Sequence, residues 1–187
     1  FFDPKYFKID EFGFKKTEKF RAKFLIETLT ELKENLARLN ITLLSYFDAP
    51  ENKIHTICTE FSIDTIYTQK EWTKEEVETN NFVKNTLSDS ISFIEDYDQF
   101  LYQPNTVSKD FYNIPNVFTQ FRKKLEKNVK IEELNTTFKL SEDNLIENTT
   151  KISTLKDLGF KDFEKNKKTT FPFSGGENAA LKRLDYY

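Results

Sequence analysis

Cysteine and histidine occur once each in these 187 residues, as Cys58 and His55. One cysteine excludes a disulfide within the chain and fits a reducing compartment. One histidine excludes a metal centre built on several histidines, and a Ser-His triad built elsewhere in the chain. His55 and Cys58 stand three apart on one expected helix, and no further His or Cys exists to complete a ligand set. They read as packing residues. Methionine is absent and glycine numbers only 4, against 20 phenylalanines, which excludes a flexible low-complexity chain. An excess of positive charge is also lacking. The net charge of -3 gives no general electrostatic case for nucleic-acid binding. No apolar run approaches membrane-spanning length, and the first residues do not read as a signal peptide. There is no internal repeat. Opening on Phe1-Phe2-Asp3-Pro4 with no Met, the chain is expected to be a fragment of something longer.

What is present is alternation of strand-like and helix-like segments. Phe1 to Pro4 reads as the tail of a strand entering a loop, which runs through Phe12-Gly13-Phe14-Lys15-Lys16-Thr17. Phe20, Phe24, Leu25, Leu29, Leu32, Leu36 and Leu39 then recur at helical spacing. Thr17 is the expected N-cap and Asn40 the expected stop. Ile41 to Phe47 is short, apolar and partly β-branched, and predicts a buried strand. Asp48, with Pro50 and Glu51, opens the next helix. Its apolar face is Ile54, Ile57, Cys58 and Phe61. A strand is expected at Ile63 to Tyr67. A helix capped by Thr73 with Glu76 follows, then a strand at Ser90 to Ile94.

This order predicts an α/β fold with a doubly wound parallel sheet and right-handed crossovers. Ligands of such sheets bind at the carboxyl ends of the strands. Here those ends lie near Asp3, near Phe47 to Asp48, and at Thr68 to Trp72. Beyond them, Tyr97 to Pro115 reads as a loop. A helix is expected from Asn116, carrying Val117, Phe118, Phe121 and Leu125. From Val129 to Thr170 the chain is rich in Lys, Glu, Asn and Thr, with sparse apolar residues, and reads as a long linker. Phe171 to Leu184 is a turn launching a new helix.

Four features bear on chemistry. Ser174-Gly175-Gly176-Glu177 opens a helix, and such a terminus can hold a phosphate. No Walker lysine and no G-x-G-x-x-G accompany it, so a tight turn is the better reading. Glu71 stands at a strand's carboxyl end, where a carboxylate can accept from a ligand's ring N–H or amino group, or be a solvated loop residue. Trp72 beside it is a stacking surface or a packing residue. Arg122-Lys123-Lys124 could touch phosphates, but on a helix surface it reads as solvated. The residues alone thus reach an α/β domain with a sheet-end crevice and a linker, and no function.

Several stretches, in order and spanning nearly the whole chain, resemble the DASH cryptochromes of the photolyase family. They are Phe2-Asp3-Pro4-Lys5-Tyr6-Phe7, Phe12 to Thr17 with Phe20 to Leu25, and Ile66 to Glu71 with Glu75-Glu76-Val77. Asn116 to Lys123 and Phe173 to Glu177, with Ala180-Leu181 and Arg183-Leu184, complete the set. The resemblance implies the Rossmann-like N-terminal photolyase domain over 1–128 with its first strand missing. It implies an interdomain linker over 129–170 and the start of the FAD-binding helical domain at 171–187. It implies a parent that carries FAD and a 5,10-methenyltetrahydrofolate antenna. Such a parent repairs cyclobutane pyrimidine dimers in single-stranded DNA under blue light, or acts as a photoreceptor. Glu71 falls where the family places a carboxylate that holds the folate. FAD and DNA contacts belong to the helical domain, so this piece alone is expected to be non-catalytic. A cytoplasmic monomer without membrane contact is expected. The family's first strand and its Arg-Asn-Asp-Leu-Arg stretch are absent, and Lys5 stands where the family has Arg.

Overall fold

The computed structural model describes residues 1–102, 104–107, 115–128, 133, 136–164, 166, 168–169 and 172–187. Parts of the expected loop over 97–115 and of the expected linker over 129–170 lie outside the described residues, as does Phe171. Two compact units emerge: Phe1–Asn52 with Thr137–Tyr187, and Lys53–Thr136.

In the first unit, the Phe2 N–H donates to the Tyr46 carbonyl at 2.8 Å. Asp3 then caps a short 3₁₀ turn, Pro4–Tyr6, by accepting from the Lys5 N–H at 2.9 Å. Helix α1 covers Lys19–Arg38. Thr17 is not its cap: it is buried, and its N–H donates to the Tyr6 carbonyl. The N-cap is Glu18, whose carboxylate accepts from the Lys19 N–H. The expected stop holds. Asn40 adopts φ 59°, and the Ile41 N–H reaches back to the Leu36 carbonyl, the left-handed closure that Asn tolerates best after glycine.

The inner face of α1 puts Ala22 into a core with Phe2, Phe7, Leu155 and Leu158, flanked by Leu25, Ile26 and Leu29. Two of those core residues come from the segment read as a linker. They are set by one turn. The Thr154 N–H and hydroxyl both donate to the Asp157 carboxylate at 2.8 Å, and Gly159, at φ 81°, closes the turn on the other side. Leu158 is only 3% exposed. Burying a leucine so fully contributes about 2 kcal/mol.

Ile41 to Tyr46 enters no strand ladder among the described residues. Three backbone groups between Asn40 and Ser45 bond instead to side chains of the 140–150 segment. Asn144 and Asn148 donate to the carbonyls of Asn40 and Leu43, each at 2.7 Å, and the Ser45 N–H donates to the Thr150 hydroxyl at 3.0 Å. The apolar run predicted a ladder; a neighbouring row of Asn and Thr side chains satisfies the same groups.

In the second unit, helix α2 (Pro50–Glu60), which begins at the end of the first, is opened by Asp48. That carboxylate accepts from the Ala49 N–H at 2.8 Å and from the Asn52 amide. Strand β1 (Thr65–Gln69), helix α3 (Lys74–Thr86) and strand β2 (Ser92–Asp96) follow. The strands pair in parallel, Thr65 opposite Ser92 through Gln69 opposite Asp96. Both strands run later than expected, β1 ending at Gln69 rather than Tyr67 and β2 at Asp96 rather than Ile94. Thr73 is the N-cap of α3, but its hydroxyl meets the Glu76 carboxylate rather than a backbone N–H. Ile57, Cys58, Val83 and Val107 are buried. The last lies in a single turn, α4 (Pro104–Val107). Helix α5 covers Phe118–Asn128, two residues later than expected. Helix α6, in the first unit, covers Glu177–Tyr186.

Candidate functional site

The parallel β1–α3–β2 unit brings two strand carboxyl ends together. The Lys70 N–H donates to the Asp96 carbonyl at 2.7 Å, extending the pairing past β1. The Gln99 amide donates to the Lys70 carbonyl at 2.9 Å and folds the chain after β2 back over the same end. From α3, Asn80 donates to the Glu95 carboxylate at 3.3 Å. Glu71 follows at the mouth, half-buried, and accepts from the Gln69 amide at 3.2 Å. A carboxylate offers about four acceptor positions, so this bond leaves capacity for a ligand's N–H groups.

An aromatic cluster stands beside it. Trp72 stacks on Tyr97, with centroids 5.0 Å apart and planes at 21°, and meets Phe100 edge-on at 5.6 Å. The Lys70 ammonium lies 5.1 Å from the Tyr97 centroid. Trp72 therefore packs, yet stays 55% exposed. In the sequence Tyr97 and Phe100 are only members of the expected loop over 97–115. The signal that could have placed them was their position just after the second strand's carboxyl end. Together, a carboxylate acceptor and exposed ring faces can take a flat ligand bearing ring N–H or amino groups.

The carboxylates at the other two expected strand ends, where no strand forms, are used structurally. Asp48 caps α2. Asp3 caps its 3₁₀ turn and pairs with Lys5 at 3.1 Å. Burial works against the Lys5 ammonium, but the hydrogen bond and charge of Asp3 outweigh it and raise its pKa above the ordinary lysine value.

The turn before α6 is no phosphate site. Two of its N–H groups are taken by carboxylates of α1, which also put negative charge where a phosphate would sit: Gly175 donates to Glu27 at 2.7 Å and Asn178 to Glu31 at 2.6 Å. The two glycines permit that close approach, since a Cβ on either would collide with α1. Cys58 is buried, and burial pushes its thiol pKa up. Among the described residues no group of three His, Cys, Asp or Glu could hold a metal ion. None of their helices is long and apolar enough to cross a membrane. In the basic run, Arg122 pairs with Glu126 at 3.4 Å, as on a solvated helix face.

Comparison with known proteins gives a consistent picture. A family model described as DNA photolyase matches residues 1–139. Cryptochrome DASH of Gloeobacter violaceus is 30% identical over 188 residues, covering all of this chain and 37% of that protein. Cryptochrome DASH, chloroplastic/mitochondrial, of Arabidopsis thaliana is 28% identical, covering 99% of this chain and 33% of that protein. An Arabidopsis protein named Blue-light photoreceptor PHR2 is 27% identical, over 98% of this chain and 42% of that protein. The crystal structure of a Synechocystis cryptochrome superposes with a TM-score of 0.86 at 27% identity, covering all of this chain and 39% of that one. The chain spans about a third of the length of the first two relatives. The superposition supports the expected Rossmann-like α/β fold with its parallel sheet.

Proposed function

The chain belongs to the DNA photolyase family, and on that premise we propose that it is the antenna-side part of a DASH-type blue-light flavoprotein. In this reading residues 1–128 form the α/β antenna domain, 129–170 connect it, and 171–187 begin the FAD-binding helical domain. The observation that carries the reading is Glu71, half-buried at the carboxyl end of β1 beside the ring faces of Trp72 and Phe100. That lining fits the pterin ring of 5,10-methenyltetrahydrofolate: the Glu71 carboxylate would accept from ring N–H or amino groups, and an aromatic face would lie against the ring. A bound folate would supply absorption in the near ultraviolet and blue. This chain's own residues would hold and orient it. No residue here is assigned to FAD or DNA, which we place in the helical domain.

For the longer protein we propose light-driven repair of cyclobutane pyrimidine dimers in single-stranded DNA. The expected result is loss of dimers from such DNA under blue light and none in the dark. Absence of dimer loss in the illuminated, flavin-loaded protein would sink this reading. A second reading, blue-light signalling without repair, draws on the relative named a blue-light photoreceptor. The lone, buried Cys58 fits the reducing cytoplasm that we propose as its compartment.

A further inference from the structure

A cleft of about 510 Å³ opens along α1 within the first unit, walled by Phe20, Phe24, Phe163 and Phe173. None of its residues belongs to the sheet-end site. Its volume falls within the range of small-molecule sites, about 300–1,000 Å³. Arg21 and Lys23 line it as well. Lys19 places its ammonium 5.3 Å from the Phe20 centroid and 5.4 Å from that of Phe163, and Lys23 stands 5.2 Å from Phe163. Arg183 lies 4.7 Å from Phe173. The one acid in the lining, Glu27, is engaged by the Gly175 N–H.

Two features of this cleft run against folding economy. Phe20 is left 63% exposed, which forgoes much of the roughly 1.5–3 kcal/mol its burial would contribute. Lys19, Arg21 and Lys23 crowd the start of α1, where the Glu18 cap is a single acid against three cations and the first turn adds none, although the helix dipole disfavours cations there. Among the described residues these three cations enter no ion pair. Local rules broken together, in a chain of net charge -3, mark a site more than a surface.

We propose that this cleft binds a free nucleotide, with the base against the phenylalanine walls and the phosphate on Arg21 and Lys23. An apolar ligand would leave the cations unused, and an inorganic anion would leave the aromatic walls bare. The combination of ring faces with cations is the one that recognises nucleotide units, and the volume suits one of them rather than a strand.

The test is calorimetric titration of the 187-residue chain with AMP, adenosine, inorganic phosphate and a short oligothymidylate. AMP is expected to bind saturably, and more weakly as salt is raised. Adenosine and phosphate are expected to bind at least about tenfold more weakly than AMP. The Arg21→Ala/Lys23→Ala double variant should lose about tenfold in AMP affinity, the loss of a charged contact worth about 1.4 kcal/mol. Phe20→Ala, which removes an exposed side chain and leaves the fold standing, should weaken AMP and adenosine alike. No saturable AMP binding would overturn the proposal, as would adenosine binding as tightly as AMP or unchanged affinity in both variants. Tighter binding of the oligothymidylate than of AMP would overturn the assignment to a free nucleotide.

Discussion

Replacing Gly175 by alanine tests how α6 is held against α1. A Cβ at this position collides with the Phe24 carbonyl oxygen and comes within 2.7 Å of the Thr28 hydroxyl and 3.1 Å of the Thr28 nitrogen. Two of those three neighbours are backbone. The third is tied down, since the Thr28 hydroxyl donates to that same Phe24 carbonyl at 2.8 Å. Nothing there can swing aside, so the residue itself must move. Overpacking of this kind costs about 1–3 kcal/mol. Moving the residue also strains the bond from the Gly175 N–H to Glu27, and a hydrogen bond to a charged group is worth about 1.5–3 kcal/mol before allowance for its partial exposure. Alanine stiffens the unfolded chain and returns about 0.4–1 kcal/mol. The net loss is therefore about 2–3 kcal/mol. Gly159→Ala is the control. Gly159 has φ 81° but nothing within 4 Å of its would-be Cβ, so alanine there meets only the left-handed backbone cost of about 1–2 kcal/mol, offset by the same gain from the stiffer unfolded chain. Urea unfolding followed by circular dichroism should show the larger midpoint shift for Gly175→Ala. Amide exchange should quicken at Gly175 and Asn178. A shift for Gly175→Ala no greater than that for Gly159→Ala, at unchanged m, would refute the close-packing argument.

Two further outcomes test the same unit. Leu158→Ala should cost about 2–5 kcal/mol in urea unfolding, the range for a buried leucine whose cavity does not fully collapse; a loss near zero would mean that the 152–163 segment is not part of the core. The Thr154 N–H and hydroxyl hold the Asp157 carboxyl below its ordinary value of 3.8. A depressed folded pKa stabilises above the unfolded value, and that contribution is lost as pH falls through the folded one. The turn at Thr154 to Gly159 should therefore loosen as pH drops below about 4, read by the Thr154 amide resonance, and Asp157→Ala should lack this response.

Local patterns carried the helices. The leucine spacing of α1 and the start signals at Asp48 to Glu51 and at Thr73 lie within a few residues of the helices they announce. The β1–α3–β2 unit was legible for the same reason, with both strands reaching farther along the chain than expected. What escaped was non-local. Ile41 to Tyr46 has the composition of a strand, but its partners are Asn and Thr side chains about a hundred positions later. Leu155 and Leu158 looked like stray apolar residues in a polar stretch because their partners, Phe2, Phe7 and Ala22, lie at the other end of the chain. Glu71 could be singled out by its place after a strand. The rings that accompany Trp72 could not, because only the parallel pairing brings Tyr97 and Phe100 to it. Nothing in the local sequence marks Glu27 and Glu31 as acceptors for the turn before α6, since that turn lies nearly 150 positions later.

Trp72 is the only tryptophan in the chain, so its fluorescence reports on the sheet-end site without a label. Titration with 5,10-methenyltetrahydrofolate should quench it saturably. Glu71→Ala should raise the dissociation constant about tenfold or more, matching the roughly 1.5–3 kcal/mol of a hydrogen bond to a charged group. Quenching that is absent in the unsubstituted chain, or equal in the two proteins, would contradict the assignment of this site to a folate antenna.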